Sequence, residues 1–251
     1  MALHPADLPE QDARRKAFAE LKGRLQGDRN SMRIALESLV PSAIPLLDRL
    51  LGGGFPQGAL VTLEGGVSSG RWSIVARLLA QITRRGLAAV IDRGELYPPD
   101  LAQAGVRLER TIVVPTSNPL GIARAADILL RSRACRIVVM PAVQLRAAVW
   151  TRLSNLAHRA GILLIVVATQ AAGELAAAAG MRLHCRLERA IIHGARGVWC
   201  TLAGYALRTE LRKHKQLFSG ACAQVRVLVG IENSLLRECH FVKERLHAVV
   251  C

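Results

Sequence analysis

Residues Gly65-Gly66-Val67-Ser68-Ser69-Gly70-Arg71-Trp72-Ser73 carry the spacing of a phosphate-binding loop. In the working form, G-x-x-x-x-G-K-[ST], backbone N–H groups and a helix N-terminus surround the phosphates. The Lys reaches the terminal phosphates and the hydroxyl holds Mg²⁺. Here both glycines are in place, Gly65 and Gly70, but Arg71 stands at the Lys position, Trp72 at the hydroxyl position, and Ser73 follows one place late. Arg71 keeps a positive charge on a longer, planar, forked donor. Trp72 offers an N–H and no oxygen for a metal. The frame is kept and the metal chemistry is altered.

Other residues with chemical potential are sparse. Asp92 and Glu95 flank Arg93-Gly94 at the end of an apolar run and are general-base candidates only if a substrate is held there; otherwise they are a structural pair. Gln170 ends a second apolar run, and Met140-Pro141 ends a third where a metal-ordering carboxylate would stand. Seven histidines form no H-E-x-x-H or triad-like pattern, and six cysteines form no C-x-x-C pair or zinc spacing. No catalytic residue and no metal site are expected.

Charge is the other signal. The net charge is +15, with Arg14, Arg15 and Lys16 on an amphipathic N-terminal stretch, Arg182 and Arg186 on one face of an alternating segment, and Arg208, Arg212, Lys213 and Lys215 in a basic run. These are candidate contacts to DNA or to an acidic protein, with a solvated basic face as the bland alternative. Aromatic residues make up 4% of the chain, which excludes rows of stacking rings as the means of holding single strands. The cysteines read as reduced thiols in cytoplasm, and the longest apolar runs are too short to cross a bilayer.

The elements that must position these residues alternate. Apolar runs at 59–63, 87–92, 111–115, 136–140 and 162–168 read as buried strands; residues 74–84, 120–133 and 144–160 carry helical periodicity. Strands that read as continuous apolar runs between helices predict a parallel sheet covered on both faces, with ligands at the carboxyl ends of its strands. Residues 171–180 read as a small-residue loop. Residues 183–191, 198–203 and 224–231 read as strands added at one side. The expected organisation is a basic N-terminal arm (1–40), an α/β core (41–231) and a C-terminal tail (232–251).

The order of the pieces resembles the core of the bacterial RecA recombinase family. The resemblance rests on Gly53-Gly54-Phe55-Pro56-Gln57-Gly58 ahead of the loop, the loop itself, Ile91-Asp92-Arg93-Gly94-Glu95, Gly105-Val106, Ile137-Val138-Val139, the run ending at Gln170, Met181-Arg182-Leu183 and Lys213-His214-Lys215. It implies a RecA-like P-loop core, a mostly parallel twisted sheet flanked by helices with antiparallel strands toward the C-terminus. It makes Glu95 (one residue out of register) and Gln170 nucleotide-state sensors, and pairs Lys213 with Lys215 as residues that reach a neighbour's phosphates in filaments. The two DNA-binding loops of that family are here reduced to almost nothing after Met140 and to a cation-free stretch after Gln170.

Within that superfamily, a short, basic member with a spoiled loop resembles the ImuA family of the damage-induced mutagenesis cassette. That resemblance implies a non-catalytic accessory role in SOS-induced translesion synthesis. Its implied partners are an ImuB-like Y-family protein and an error-prone DNA polymerase. RecA itself and DNA are further candidates, and homo-oligomerisation stays open. No cofactor is expected, ATP with Mg²⁺ being the alternative. Three other readings stand beside it: a weak P-loop ATPase using Arg71, a SulA-type division inhibitor, and a plain basic DNA-binding module.

Overall fold

The computed structural model describes residues 39–193, 201–214 and 222–228. The chain divides into two compact units, Met1–Leu39 and Val40–Cys251. Arg14, Arg15, Lys16 and Lys215 lie outside the described residues, as do the expected N-terminal arm up to residue 38 and the C-terminal tail.

Two short strands, β1 (Leu39–Val40) and β2 (Phe55–Pro56), stand outside the main sheet, with helix α1 (Pro45–Leu50) between them. The main sheet is built from β3 (Leu60–Glu64), β4 (Leu87–Asp92), β5 (Thr111–Pro115), β6 (Cys135–Pro141), β7 (Leu163–Ala168), β8 (Met181–His193), β9 (Thr201–His214) and β10 (Cys222–Leu228). Its order is β10-β9-β8-β3-β7-β6-β4-β5. Strands β3 to β8 run parallel, and β9 and β10 continue antiparallel from β8. The expected α/β class, with antiparallel strands toward the C-terminus, is what the chain adopts.

The helices change face where the strand order reverses. From β3 the chain moves outward through α2 (Arg71–Thr83) to β4, and through α3 (Pro98–Gln103) and a 3₁₀ turn (Leu108–Arg110) to the edge strand β5. It then returns through α4 (Pro119–Ser132), α5 (Ala147–Ala160) and α6 (Gly173–Ala178). Right-handed crossovers place outward and returning helices on opposite faces. Two cores result. One joins Leu47, Ile74, Leu78 and Leu101 to Val61, Leu63, Val139 and Leu183; the other joins Ile122, Leu130, Trp150 and Leu175 to Leu60, Ile91, Val138 and Met140. The period-2 alternation of each strand supplies both.

Two expectations need correction. Residues 171–180 are not a plain loop: they hold a short helix, α6, over Gly173–Ala178. Its run of alanines has high helix propensity, and Leu175 anchors it in the core. The separate strand at 198–203 and the basic run after it are one strand, β9, over the described residues. Leu207, Thr209 and Leu211 point inward and are buried while Arg208, Glu210 and Arg212 alternate with them, so the charges occupy one face of a strand.

Trp150 is 1% exposed and fills the second core between α5 and the sheet. We expect Trp150→Ala to destabilise the fold by about 3–5 kcal/mol, the usual cost of emptying a large aromatic site. Urea titration of both proteins checks it.

Candidate functional site

Parallel registry brings the predicted site segments to one edge. Glu64 pairs with Ala168 across β3–β7, Met140 and Pro141 sit opposite Val166 and Val167, and Asp92 ends β4 beside Pro115. Each loop leaving these strands therefore opens on the same rim.

The glycine loop is closed down on that rim. The Gly65 N–H donates to the carbonyls of Ala168 (3.2 Å) and Thr169 (3.0 Å) at the end of β7. Ser68 and Gly70 take left-handed φ values of 59° and 80°. Ser69 is buried beneath the loop, and its hydroxyl has no hydrogen-bond partner among the described residues. A Cβ on Gly65 would meet the Cys185 carbonyl, and one on Gly70 would overlap the side chain of Leu207. Strands β8 and β9 thus seal the back of the loop. Burial pushes the Cys185 thiol there up to about 12, so it is a neutral packing group.

Arg71 opens α2, yet its guanidinium folds back. Its Nη1 donates to the Gly65 and Ala168 carbonyls, fastening the loop to β7. Burial lowers its pKa while the nearby Glu95 charge raises it. Trp72 and Ser73 follow on the first turn, with Trp72 packed at the margin of the first core. Met140 is fully buried in the opposite core among Ile91, Val138 and Trp150. Gly66 and Gln170 are exposed.

The acidic residues divide. Asp92 accepts from the backbone N–H groups of Gly94 (2.8 Å), Glu95 (3.2 Å) and Leu96 (3.1 Å). It shapes the turn after β4, as short acidic side chains do. Glu95 is exposed on that turn.

Sequence reasoning missed Glu64. It ends β3 immediately before the loop and is fully buried. Arg182 grips it with two hydrogen bonds, Nε to Oε1 at 2.7 Å and Nη2 to Oε2 at 3.0 Å; Thr62 donates at 3.0 Å, and Arg212 stands 3.6 Å away. Burial acts to raise the Glu64 pKa, but the bonds from Arg182, Thr62 and the Ala171 backbone outweigh it and hold the carboxyl below its ordinary value. The signal was available: Thr62-x-Glu64 puts two polar groups on one face of an otherwise apolar strand.

The basic candidates separate accordingly. Arg182 faces inward to Glu64 and also donates to the Ala171 carbonyl at 2.9 Å. Lys213 donates to the Ala176 and Ala177 carbonyls at 3.0 Å each, at the end of α6. Arg212 lies 3.7 Å from Glu210. Arg186 and Arg208 are exposed and directly opposite each other across β8–β9. Among the described residues, no cluster of His, Cys, Asp and Glu is arranged to hold a metal, and no helix is long and apolar enough to cross a membrane.

With this geometry in view, the comparisons are direct. The model of the family described as "MT3502 N-terminal domain" matches residues 48–173, half of the chain. The chain belongs to that family. It is also RecA-like: over 119 residues it is 34% identical to the protein RecA of Picosynechococcus sp., a match covering 47% of this chain and 33% of that protein. The RecA of Prochlorococcus marinus matches at 34% over 119 residues, 47% of this chain and 31% of that protein. The matched segment thus spans about a third of the length of these relatives. In fold, the chain resembles the crystal structure of the RadB recombinase, with a TM-score of 0.59 at 19% identity, covering 75% of this chain and 96% of that one. The RecA-like frame accounts for the convergence of loop, β4, β6 and β7 ends. The family match stops at residue 173, before β8 and β9.

Removing one partner of a buried ion pair costs about 3–5 kcal/mol. Arg182 keeps some solvent contact, so we expect Glu64→Ala to cost about 2–3 kcal/mol. A carboxylate with a lowered folded pKa contributes stability above its unfolded pKa and loses it as pH falls through the folded value. Stability of the parent should therefore fall in acid below pH 4.5, and that of Glu64→Ala should fall less. Denaturant midpoints from pH 7 to pH 3 read both effects. Gly70→Ala should cost about 1–3 kcal/mol, from left-handed strain and the Leu207 overlap.

Proposed function

We propose that this chain is a cytoplasmic, non-catalytic RecA-like accessory protein in damage-induced translesion DNA synthesis. It acts through contacts to an ImuB-like Y-family protein, an error-prone polymerase and DNA. The observation that carries the reading is Arg71. The one cation of the loop is spent on two protein carbonyls, those of Gly65 and Ala168.

The donor set around it supports the same reading. A Mg²⁺-nucleotide needs a hydroxyl at the position of Trp72 and a carboxylate at the end of β6, where Met140 is buried among apolar side chains. Indole and thioether supply neither. Phosphoryl transfer depends on charge stabilisation by that metal and the loop Lys, so this rim does not suit Mg²⁺-ATP. A scaffold of this kind keeps the fold as a surface. The spoiled loop and basic charge match the mutagenesis-cassette member of the superfamily.

The test has two arms. With Mg²⁺-ATP, the purified chain should show no turnover above background, with or without single-stranded DNA, and Arg71→Lys with Trp72→Ser should not restore it. Co-expressed with an ImuB-like Y-family protein, it should co-purify as a complex. DNA-stimulated turnover would make the chain a motor or switch, and failure to form the complex would remove the translesion role.

A further inference from the structure

We infer that the outer face of the β8–β9 hairpin is a phosphodiester-binding groove for single-stranded nucleic acid. A cavity of about 260 Å³ opens there, lined by His184, Arg186, Arg208, Glu210 and Arg212.

The hairpin registry sets the charges. Arg186 lies directly opposite Arg208, and His184 opposite Glu210. Like charges facing each other across strands destabilise a sheet. Neither arginine has an ion pair or hydrogen bond among the described residues, and both are exposed. The carboxylates of this face are occupied: Glu64 is held by Arg182, and Glu210 stands beside Arg212. Two forked donors are thus juxtaposed with no acidic partner, an arrangement that an anion relieves.

Strand geometry gives the shape of that anion. From Arg208 to Arg212 is four residues, about 13 Å along an extended strand. The cations therefore form a row, longer than one phosphate and suited to a repeating polyanion. Guanidinium forks match phosphate oxygens bidentately. The net charge of +15 adds long-range attraction for nucleic acid. The groove contains no Phe, Tyr or Trp, so its chief contacts are to the backbone. It lies beyond the family match, which ends at residue 173. The choice of nucleic acid over another polyanion rests on the DNA-linked role proposed above; the groove itself does not.

The test uses the full chain, without nucleotide or partner, and fluorescence anisotropy of labelled oligo(dT) across a salt series. Arg186→Ala with Arg208→Ala should weaken binding at least tenfold. On single strands each lost phosphate contact flattens the plot of log affinity against log salt by about 0.7, so the double variant should lose about 1.4. Arg84→Ala with Arg85→Ala, an equal change of charge at the far end of α2, should leave affinity within about threefold, because its charges lie outside the row. Arg186→Lys with Arg208→Lys should keep the salt slope. Removing two opposed charges should not lower the melting temperature, which separates a lost site from a lost fold. Equal losses in both Ala doubles, or no binding by the parent, would overturn the groove. Competition by a poly-glutamate peptide as strong as by unlabelled oligo(dT) would replace nucleic acid with an acidic protein segment. A failed complex with the Y-family partner leaves this result untouched, and the reverse holds.

Discussion

A single buried carboxylate holds the functional half of this molecule together. Glu64 ends the strand that feeds the glycine loop and is closed off from solvent. An unpaired carboxylate there would be strongly disfavoured. Arg182 neutralises it from β8, Thr62 donates a hydrogen bond to it from its own strand, and Arg182 reaches on to the segment after β7. The pair therefore fixes β3, β8 and the start of the α6 region relative to one another. Lys213, donating from β9 to the end of α6, extends the same tie. The antiparallel hairpin is an integral wall of the core because this charge demands it.

That wall has two faces, and strand alternation assigns them different tasks. The Cys185 carbonyl and the Leu207 side chain crowd the loop and leave no room for side chains at Gly65 or Gly70. Arg186 and Arg208, one residue along each strand, point away. The loop's collapsed geometry and the basic face are consequences of one hairpin, set by a period of two.

Much of this was legible before the fold was known. The apolar runs gave β4 and β5 with their observed limits; β4 is buried on both faces and leaves an unbroken signature, whereas β5, read as buried, is a half-exposed edge strand. The glycine spacing gave the loop, since left-handed backbone at Gly70 needs that residue. What stayed hidden depended on partners distant in sequence. Thr62 was counted within the run 59–63 and Glu64 was passed over, because Arg182, 118 residues away, supplies their meaning. Arg182, Arg186, Arg208, Arg212 and Lys213 looked alike as charges; only registry tells that Arg182 and Lys213 are structural ties while Arg186 and Arg208 face each other unpaired. Residues 171–180 looked like a loop because their helix is a single anchored turn and a half, too short for periodicity to show.

The two anion-facing regions differ in what recruitment would cost. A phosphate approaching the loop must take Arg71 from two carbonyls, and hydrogen bonds by a charged group contribute about 1.5–3 kcal/mol each. It would also displace the Gly65 N–H from β7, reopening the seam between loop and sheet. A phosphate approaching Arg186 and Arg208 breaks no bond within the described residues and relieves a repulsion. The glycine spacing points a phosphate to the loop, whereas the contacts of this chain favour the hairpin. In a RecA-like fold whose loop cation is satisfied internally, the facing Arg186 and Arg208 keep a low-cost route to anions along the outer face of β8 and β9.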